Sequence, residues 1–302
     1  MIVQLPTQKI PIQEIQVDKR IKLFIKREDL IHPEISGNKY WKLFLNINNY
    51  IAGKHTKPYI ITFGGAFSNH IAAVSAVGKQ TGIPTLGIIR GEELKDKWRE
   101  NPTLVFAKKN GMNLQFVSRE EYRHKEKLTE FLQSGFPEAL IVPEGGTNNE
   151  AVEGIKMMLN DETKDFDYLC TAVGTGGTIS GISKFCEENQ KVMGFKVVMD
   201  NSLEETINKL TPKRNFSLID SSFGGYGKIK DENIRFINDF KMNYGIPLEP
   251  IYTGKMMQKV FEMIEKGYFP ENSTILCFHT GGLQGIEGAN LLLEKQNRNL
   301  II

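Results

Sequence analysis

Lys39 and Lys42 stand three residues apart within KREDLIHPEISGNKYWKLFLNINNYIA, residues 26–52. Tyr40, Phe44, Ile47 and Ile51 recur at helical spacing, so a helix is expected to begin near Asn38. Gly37 and Asn38 suit the turn leading into it. The two amines then share one face near the positive end of that helix. Lysine acts as a nucleophile or base only when its amine is partly deprotonated, and a helix N-terminus and a second cation both push it that way. An isolated Lys-x-x-Lys is ordinarily a pair of solvated surface cations. This segment alone is suggestive only.

Other candidate positions lie where an apolar run meets a turn. After YIITF come Gly64, Gly65, Ala66, Phe67, Ser68, Asn69 and His70, then the small-residue run IAAVSAVG. A strand, a glycine turn and a helix opening on Ser-Asn could face an anion or a cofactor. Ser68 and Asn69 are equally standard helix caps, and His70 has no partner in sequence, which suits a packing residue. YLCTAV runs into Gly174, Thr175, Gly176, Gly177 and Thr178, the most specific motif of the chain. Three glycines let backbone N–H groups converge on a phosphate at a helix N-terminus, and the two threonines add hydroxyls. No Lys-Ser/Thr follows and the GxGxxG spacing is not met, so a lone phosphate suits the loop better than a nucleotide or dinucleotide. A glycine turn serving backbone geometry alone remains the alternative. Nearer the C-terminus, Phe223–Gly227, Pro250–Lys255 and His279–Gly282 put further polar groups at strand–helix junctions.

Around these candidates, apolar runs begin at Tyr59, Thr85, Leu114, Ala139, Tyr168, Phe195, Phe216 and Thr274, with helical stretches between them. Gly111, Gly135, Gly245 and Gly267 follow helical runs as expected caps. Such alternation predicts an α/β fold with mostly parallel sheets flanked by helices. At 302 residues, one large or two moderate domains are expected. Lys and Arg total 38 against 36 Asp and Glu, a formal charge of +2 that predicts neither nucleic acid nor an anionic membrane as partner. The opening MIVQLPTQKIPIQEI is too polar for a signal peptide, and no apolar run is long enough to span a bilayer. Cys170, Cys186 and Cys277 form no CxxC pair or even-numbered framework, as expected of reduced core thiols in a cytoplasmic protein. No metal site is expected.

In chain order, KRED, SGNK-x-x-KL, GG-x-x-SNH, PEGG, GTGGT, YG, P-x-YTGK and HTGG resemble the D-cysteine desulfhydrase and 1-aminocyclopropane-1-carboxylate (ACC) deaminase family. That family belongs to the tryptophan synthase β-like group of pyridoxal-phosphate proteins, and the resemblance runs from Ile21 to Gly282. It implies pyridoxal 5'-phosphate as cofactor and Lys39 as the Schiff-base lysine. Lys42 would lie near the cofactor phosphate, Gly174, Thr175, Gly176, Gly177 and Thr178 would form the phosphate cup, and Asn69 would meet the phenolic oxygen. Ser68, Tyr226 and Tyr252 would attend the substrate, with Thr253 as partner of the pyridine nitrogen and Thr280 close to the cofactor. Two α/β domains are implied, with the cofactor in the cleft between them. Residues 1–42 with 151–302 would form the larger, and 43–150 the smaller. A homodimer acting on a small amino acid is the family expectation.

The resemblance also bears on the reaction. The deaminase branch pairs the pyridine nitrogen with a glutamate, which makes the cofactor a deep electron sink. Thr253 is neutral and can only share a hydrogen bond. Thr280 likewise matches the desulfhydrase branch. Both positions favour α,β-elimination that releases sulfide, ammonia and pyruvate, with the freed Lys39 amine or another base taking the α-proton. ACC deamination, other pyridoxal-phosphate chemistry, and non-catalytic binding of a phosphorylated small molecule are the alternatives. Three departures from the family pattern stand out: Trp41 replaces an arginine, Phe67 a glutamine, and Ser36-Gly37 a glycine pair. The two aromatic replacements are expected to reshape the substrate pocket.

Overall fold

The computed structural model describes residues 3–17, 20–225 and 227–302. Its ten strands are β1 (Ile12–Ile15), β2 (Lys22–Lys26), β3 (Ile60–Gly64), β4 (Thr85–Arg90), β5 (Asn113–Val117), β6 (Leu140–Val142), β7 (Tyr168–Val173), β8 (Lys191–Lys196), β9 (Phe216–Asp220) and β10 (Thr274–Phe278). They form a six-stranded sheet in the order β1-β2-β10-β7-β8-β9 and a four-stranded sheet in the order β5-β4-β3-β6. Every pairing is parallel except that of β1 with β2.

Helices cover these sheets, as parallel strands require. In chain order they are α1 (Asn38–Ala52), α2 (Asn69–Thr81), α3 (Pro102–Lys109), α4 (Arg119–Arg123), α5 (Lys125–Gly135) and α6 (Asn149–Ile155). The second half of the chain adds α7 (Gly177–Phe185), α8 (Leu203–Leu210), α9 (Asp231–Tyr244), α10 (Thr253–Glu265) and α11 (Gly285–Lys295). The expected α/β alternation is therefore present. Helix α1 begins at Asn38 as the periodicity predicts. Gly245 (φ 68°) and Gly267 (φ 67°) adopt the left-handed cap conformation, whereas Gly135 sits inside the last turn of α5 and Phe136 follows it as the cap.

Alternate residues of each strand feed different cores, as the two-residue period of a strand dictates. Leu169 and Val173 of β7 join Leu43, Ile47, Val74, Ile155 and Ile179 in a core shared by the two sheets. Tyr168, Cys170 and Ala172 point the other way, toward Ile237, Phe240, Val260 and Met263 of α9 and α10. Ile61 and Phe63 of β3 pack with Leu86, Ile88 and Leu132 on the outer face of the smaller sheet. Val142, Val173 and Phe278 bring the carboxyl ends of β6, β7 and β10 into the shared core, with β2 and β3 paired beside them, and ligands of open parallel sheets bind beyond such ends. All three cysteines are buried and free.

Candidate active site

Gly37 starts the site. Its φ of 63° is one that only glycine adopts cheaply, and a Cβ there would lie 1.9 Å from the carbonyl oxygen of Thr280. The first turn of α1 is thereby pressed onto the loop after β10, where Asn38 N–H donates to that oxygen at 3.4 Å. Asn38 then ties two elements together. Its Nδ2 donates to Thr178 Oγ1 at 2.7 Å, and its Oδ1 accepts from Lys39 Nζ at 3.0 Å. Burial pulls the Lys39 amine down to about 8, opposed by the charge of Glu249. An appreciable minority of the amine is thus neutral near physiological pH, far more than for an ordinary lysine, and that is the property a nucleophilic lysine needs.

One turn on, Lys42 is fully buried. Its Nζ donates to the Gly145 carbonyl at 2.6 Å and to Thr147 Oγ1 at 3.0 Å. Burial and then the neighbouring charge of Lys39 hold its amine well below the usual lysine range. Both hydrogen-bond acceptors are neutral, and among the described residues no carboxylate comes within ion-pair distance of Lys42. A buried amine so placed fits an anionic ligand, whose charge would favour its protonated form.

Gly174–Thr178 supplies the rest of that cradle. Gly176, at φ 86°, is the N-cap of α7 and brings no capping side chain to its first amides. A Cβ on Gly177 would lie 2.8 Å from Thr147 Oγ1 and 2.9 Å from both Cε and Nζ of Lys42. A Cβ on Gly174 would meet the Tyr252 ring at 3.0 Å, and one on Gly145 would meet Thr175 Oγ1 at 2.7 Å. The hydroxyls of Thr147 and Thr175 are 2.5 Å apart. Glycine is therefore needed here for close approach. Helix amides, hydroxyls and a lysine converge on one small polar space, which is what a phosphate requires.

Ser68 and Asn69 divide between the two readings open to them. Ser68 Oγ accepts the Ile71 N–H at 3.3 Å as a helix cap. The Asn69 side chain turns toward the larger sheet. Its Oδ1 accepts from Gln284 Nε2 at 2.8 Å, and its Nδ2 lies 2.4 Å from where a Gly282 Cβ would stand. Glu249 Cγ is 3.2 Å from that same point. Beneath the lysines, His70 is buried with Nε2 at 2.7 Å from Thr62 Oγ1. Burial and the charges of Lys39 and Lys42 hold the imidazole well below its ordinary range, so it is neutral.

Thr253 is fully buried at the first position of α10. Thr280 is buried too, and its backbone carbonyl supports the start of α1. Tyr226 lies outside the described residues. Asn38 of SGNK and Gly145 of PEGG belong to this constellation without having been assigned a role there, and Thr147 and Glu249 belong to it although no motif contains them. Of the two aromatic departures, Trp41 does not reshape the pocket. Two residues on from Lys39, it sits about 200° around the helix, is buried, and donates its indole N–H to Glu28 Oε2 at 2.7 Å. Phe67 is half exposed beside Ser68, its ring 2.7 Å from where a Gly288 Cβ would stand.

A cradle for phosphate and an activated lysine on one helix turn, between two parallel sheets, define the class of enzymes that hold pyridoxal phosphate through a lysine. The family model for pyridoxal-phosphate dependent enzymes matches residues 2–281, and the chain belongs to that family. A Pyrococcus horikoshii protein with a provisional ACC deaminase name is 30% identical over 291 residues, covering 87% of this chain and 85% of that protein. The mitochondrial bifunctional D-cysteine desulfhydrase/ACC deaminase of Arabidopsis thaliana is 30% identical over 299 residues, covering 88% of this chain and 73% of the plant protein. Among solved structures, an ACC deaminase homologue superposes with a TM-score of 0.81 at 27% identity, covering 96% of this chain and 95% of its own. The expected cofactor is accordingly the family's, and the residues of the cradle fit it.

Proposed function

We propose that this chain catalyses α,β-elimination on a small amino acid of the D-cysteine type, releasing sulfide, ammonia and pyruvate. The observation that carries the proposal is Lys39, an amine brought to about 8 by burial and aimed by Asn38 beside a phosphate cradle. Bound there, pyridoxal phosphate supplies an aldehyde that captures amines and a ring that accepts electrons from the substrate Cα. Lys42, Thr147 and the amides of Gly174–Thr178 hold its phosphate. Asn69 and Thr253 bind its ring edges, with Thr280 closing the pocket next to Gly37. Lys39 Nζ would be the base that takes the proton from the substrate Cα. The Cα–H and Cβ–S bonds break, the sulfur leaves as sulfide, and water then divides the remainder into pyruvate and ammonia. Ser68, Tyr226 and Tyr252 hold the substrate carboxylate or pass protons.

We assign residues 43–150 to the smaller domain and 1–42 with 151–302 to the larger, the substrate entering between them. A cytoplasmic homodimer is the proposed form. Among the described residues no helix is long and apolar enough to cross a membrane, and no cluster of His, Cys, Asp or Glu could hold a metal.

Thr253 carries no charge of its own, which suits expulsion of a good leaving group. ACC ring opening is the second reading, favoured by the relatives that bear that name. Pyruvate release from D-cysteine, β-chloro-D-alanine and ACC, assayed side by side, separates the two. Turnover of the first two substrates is expected. Turnover of ACC alone overturns the elimination proposal.

A further inference from the structure

Glu249 lies four residues before Thr253, with its carboxylate buried. Its Oε1 accepts the amide N–H of Tyr252 at 2.7 Å and of Thr253 at 2.6 Å, and its Oε2 accepts that of Ile251 at 2.9 Å. These three bonds hold the turn that leads into α10, the one to Thr253 reaching the first amide of the helix. The same Oε1 is also 3.2 Å from Thr253 Oγ1, and that hydroxyl accepts the N–H of Glu249 at 3.1 Å.

A threonine hydroxyl has one proton and two lone pairs. One lone pair is taken by the Glu249 N–H. The proton has the carboxylate as its nearer acceptor, since the Glu249 carbonyl oxygen is 3.5 Å away. What remains for a ligand is a lone pair. We propose that Glu249 is a positioning residue that fixes the Thr253 hydroxyl as an acceptor, so that Thr253 favours the protonated, N–H form of the cofactor's ring nitrogen. This rests on the assignment of Thr253 as that nitrogen's partner.

Two further observations place the carboxylate in the site and not merely under it. Its Cγ and the Asn69 Nδ2 converge on Gly282, where a side chain would displace both. Its charge also reaches the Lys39 amine, which it holds up against burial. Lys255, in the first turn of α10, is the other cation that feels this carboxylate, and its Nζ is committed to the carbonyls of Ser222 and Gly225 at 2.8 and 3.1 Å. Burial pushes the Glu249 carboxyl up, while the Thr253, Ile251 and Tyr252 amides favour its ionised form. Threonine backed by a carboxylate is a stronger partner for a ring N–H than threonine alone. The sink is deepened only through a neutral hydroxyl and stays shallower than a carboxylate paired directly with the ring nitrogen would make it, so the elimination reading stands.

The test is the ¹⁵N chemical shift of ring-labelled pyridoxal phosphate bound to the whole protein, followed against pH. Wild type should show a protonated ring nitrogen at neutral pH. Glu249→Gln keeps an oxygen to accept from that turn but removes the charge, and it should lower the pH of ring deprotonation by one unit or more. In the cofactor-free protein the same variant should lower the Lys39 amine below about 8. Thr253→Val leaves the amides that Glu249 holds in place and should reproduce the ring shift, which keeps the test decisive if Glu249→Gln does not fold. A bare ring nitrogen in wild type, or an unchanged shift in either folded variant, overturns the inference and leaves the enzyme assignment standing. Wild-type protein that takes up no cofactor overturns the enzyme assignment itself.

Discussion

Replacing Gly177 with alanine adds one methyl group where the phosphate cradle is tightest. That carbon would stand 2.9 Å from Lys42 Nζ and Cε and 2.8 Å from Thr147 Oγ1, closer than side chains approach one another. The flexible end of Lys42 must therefore swing away from Gly145 and Thr147. A phosphate bound there loses a charge-assisted hydrogen bond worth about 1.5–3 kcal/mol, a roughly tenfold to hundredfold rise in Kd for pyridoxal phosphate. The fold should survive. Gly177 has no positive φ, and alanine is favoured over glycine in a helix by about 1 kcal/mol. The assay is titration of cofactor-free protein with pyridoxal phosphate and, separately, with pyridoxal, which lacks the phosphate. Weakened binding of the first with unchanged binding of the second is expected. Equal loss for both, or loss for neither, refutes placement of the phosphate between Lys42 and α7.

The Lys39 amine is lowered to about 8, so its neutral fraction grows as pH rises through about 8 and is nearly complete a unit above. The rate at which cofactor-free protein captures pyridoxal should climb and level off over that range; a rate still climbing through pH 10 would mark an ordinary lysine. Trp41→Phe removes the only hydrogen bond to Glu28 Oε2 seen among the described residues and leaves the buried carboxylate its ion pair from Oε1 to Lys26 Nζ at 3.4 Å. A cost of about 1–3 kcal/mol in stability is expected, measured as a lower urea midpoint. KM should stay unchanged because the indole lies on the far side of α1, and a changed KM with unchanged stability would contradict that placement.

How much of this was legible in the residues depends on where the signal lies. Strands from β3 onward are mostly buried in parallel sheets and show as apolar runs. β1 is interrupted by Gln13 and Glu14, and the apolar stretch of β2 is cut to Leu23–Ile25 by a lysine at each end, so neither stood out as a run. The run expected at Phe195 begins earlier, at Lys191, because Lys191 and Gly194 interrupt the apolar pattern of β8. The glycine loop at 174–178 was legible because its residues are consecutive. Thr147 was not, since it reaches Lys42 across 105 positions of chain. Glu249 resembles any helix-capping acid until its oxygen is seen beside Thr253 Oγ1. Trp41 shows the opposite error. An unusual residue next to a key lysine suggested a reshaped pocket, and helical geometry turned it away.

The assignment of Lys39 as the cofactor's attachment point is tested most directly by reducing the yellow, cofactor-loaded protein with borohydride, digesting it, and locating the pyridoxyl group by mass spectrometry. The label is expected on Lys39, with loss of the visible band on reduction and no such band in Lys39→Ala. A label on Lys42 or on any other lysine, or a protein that takes up no pyridoxal phosphate, would contradict it.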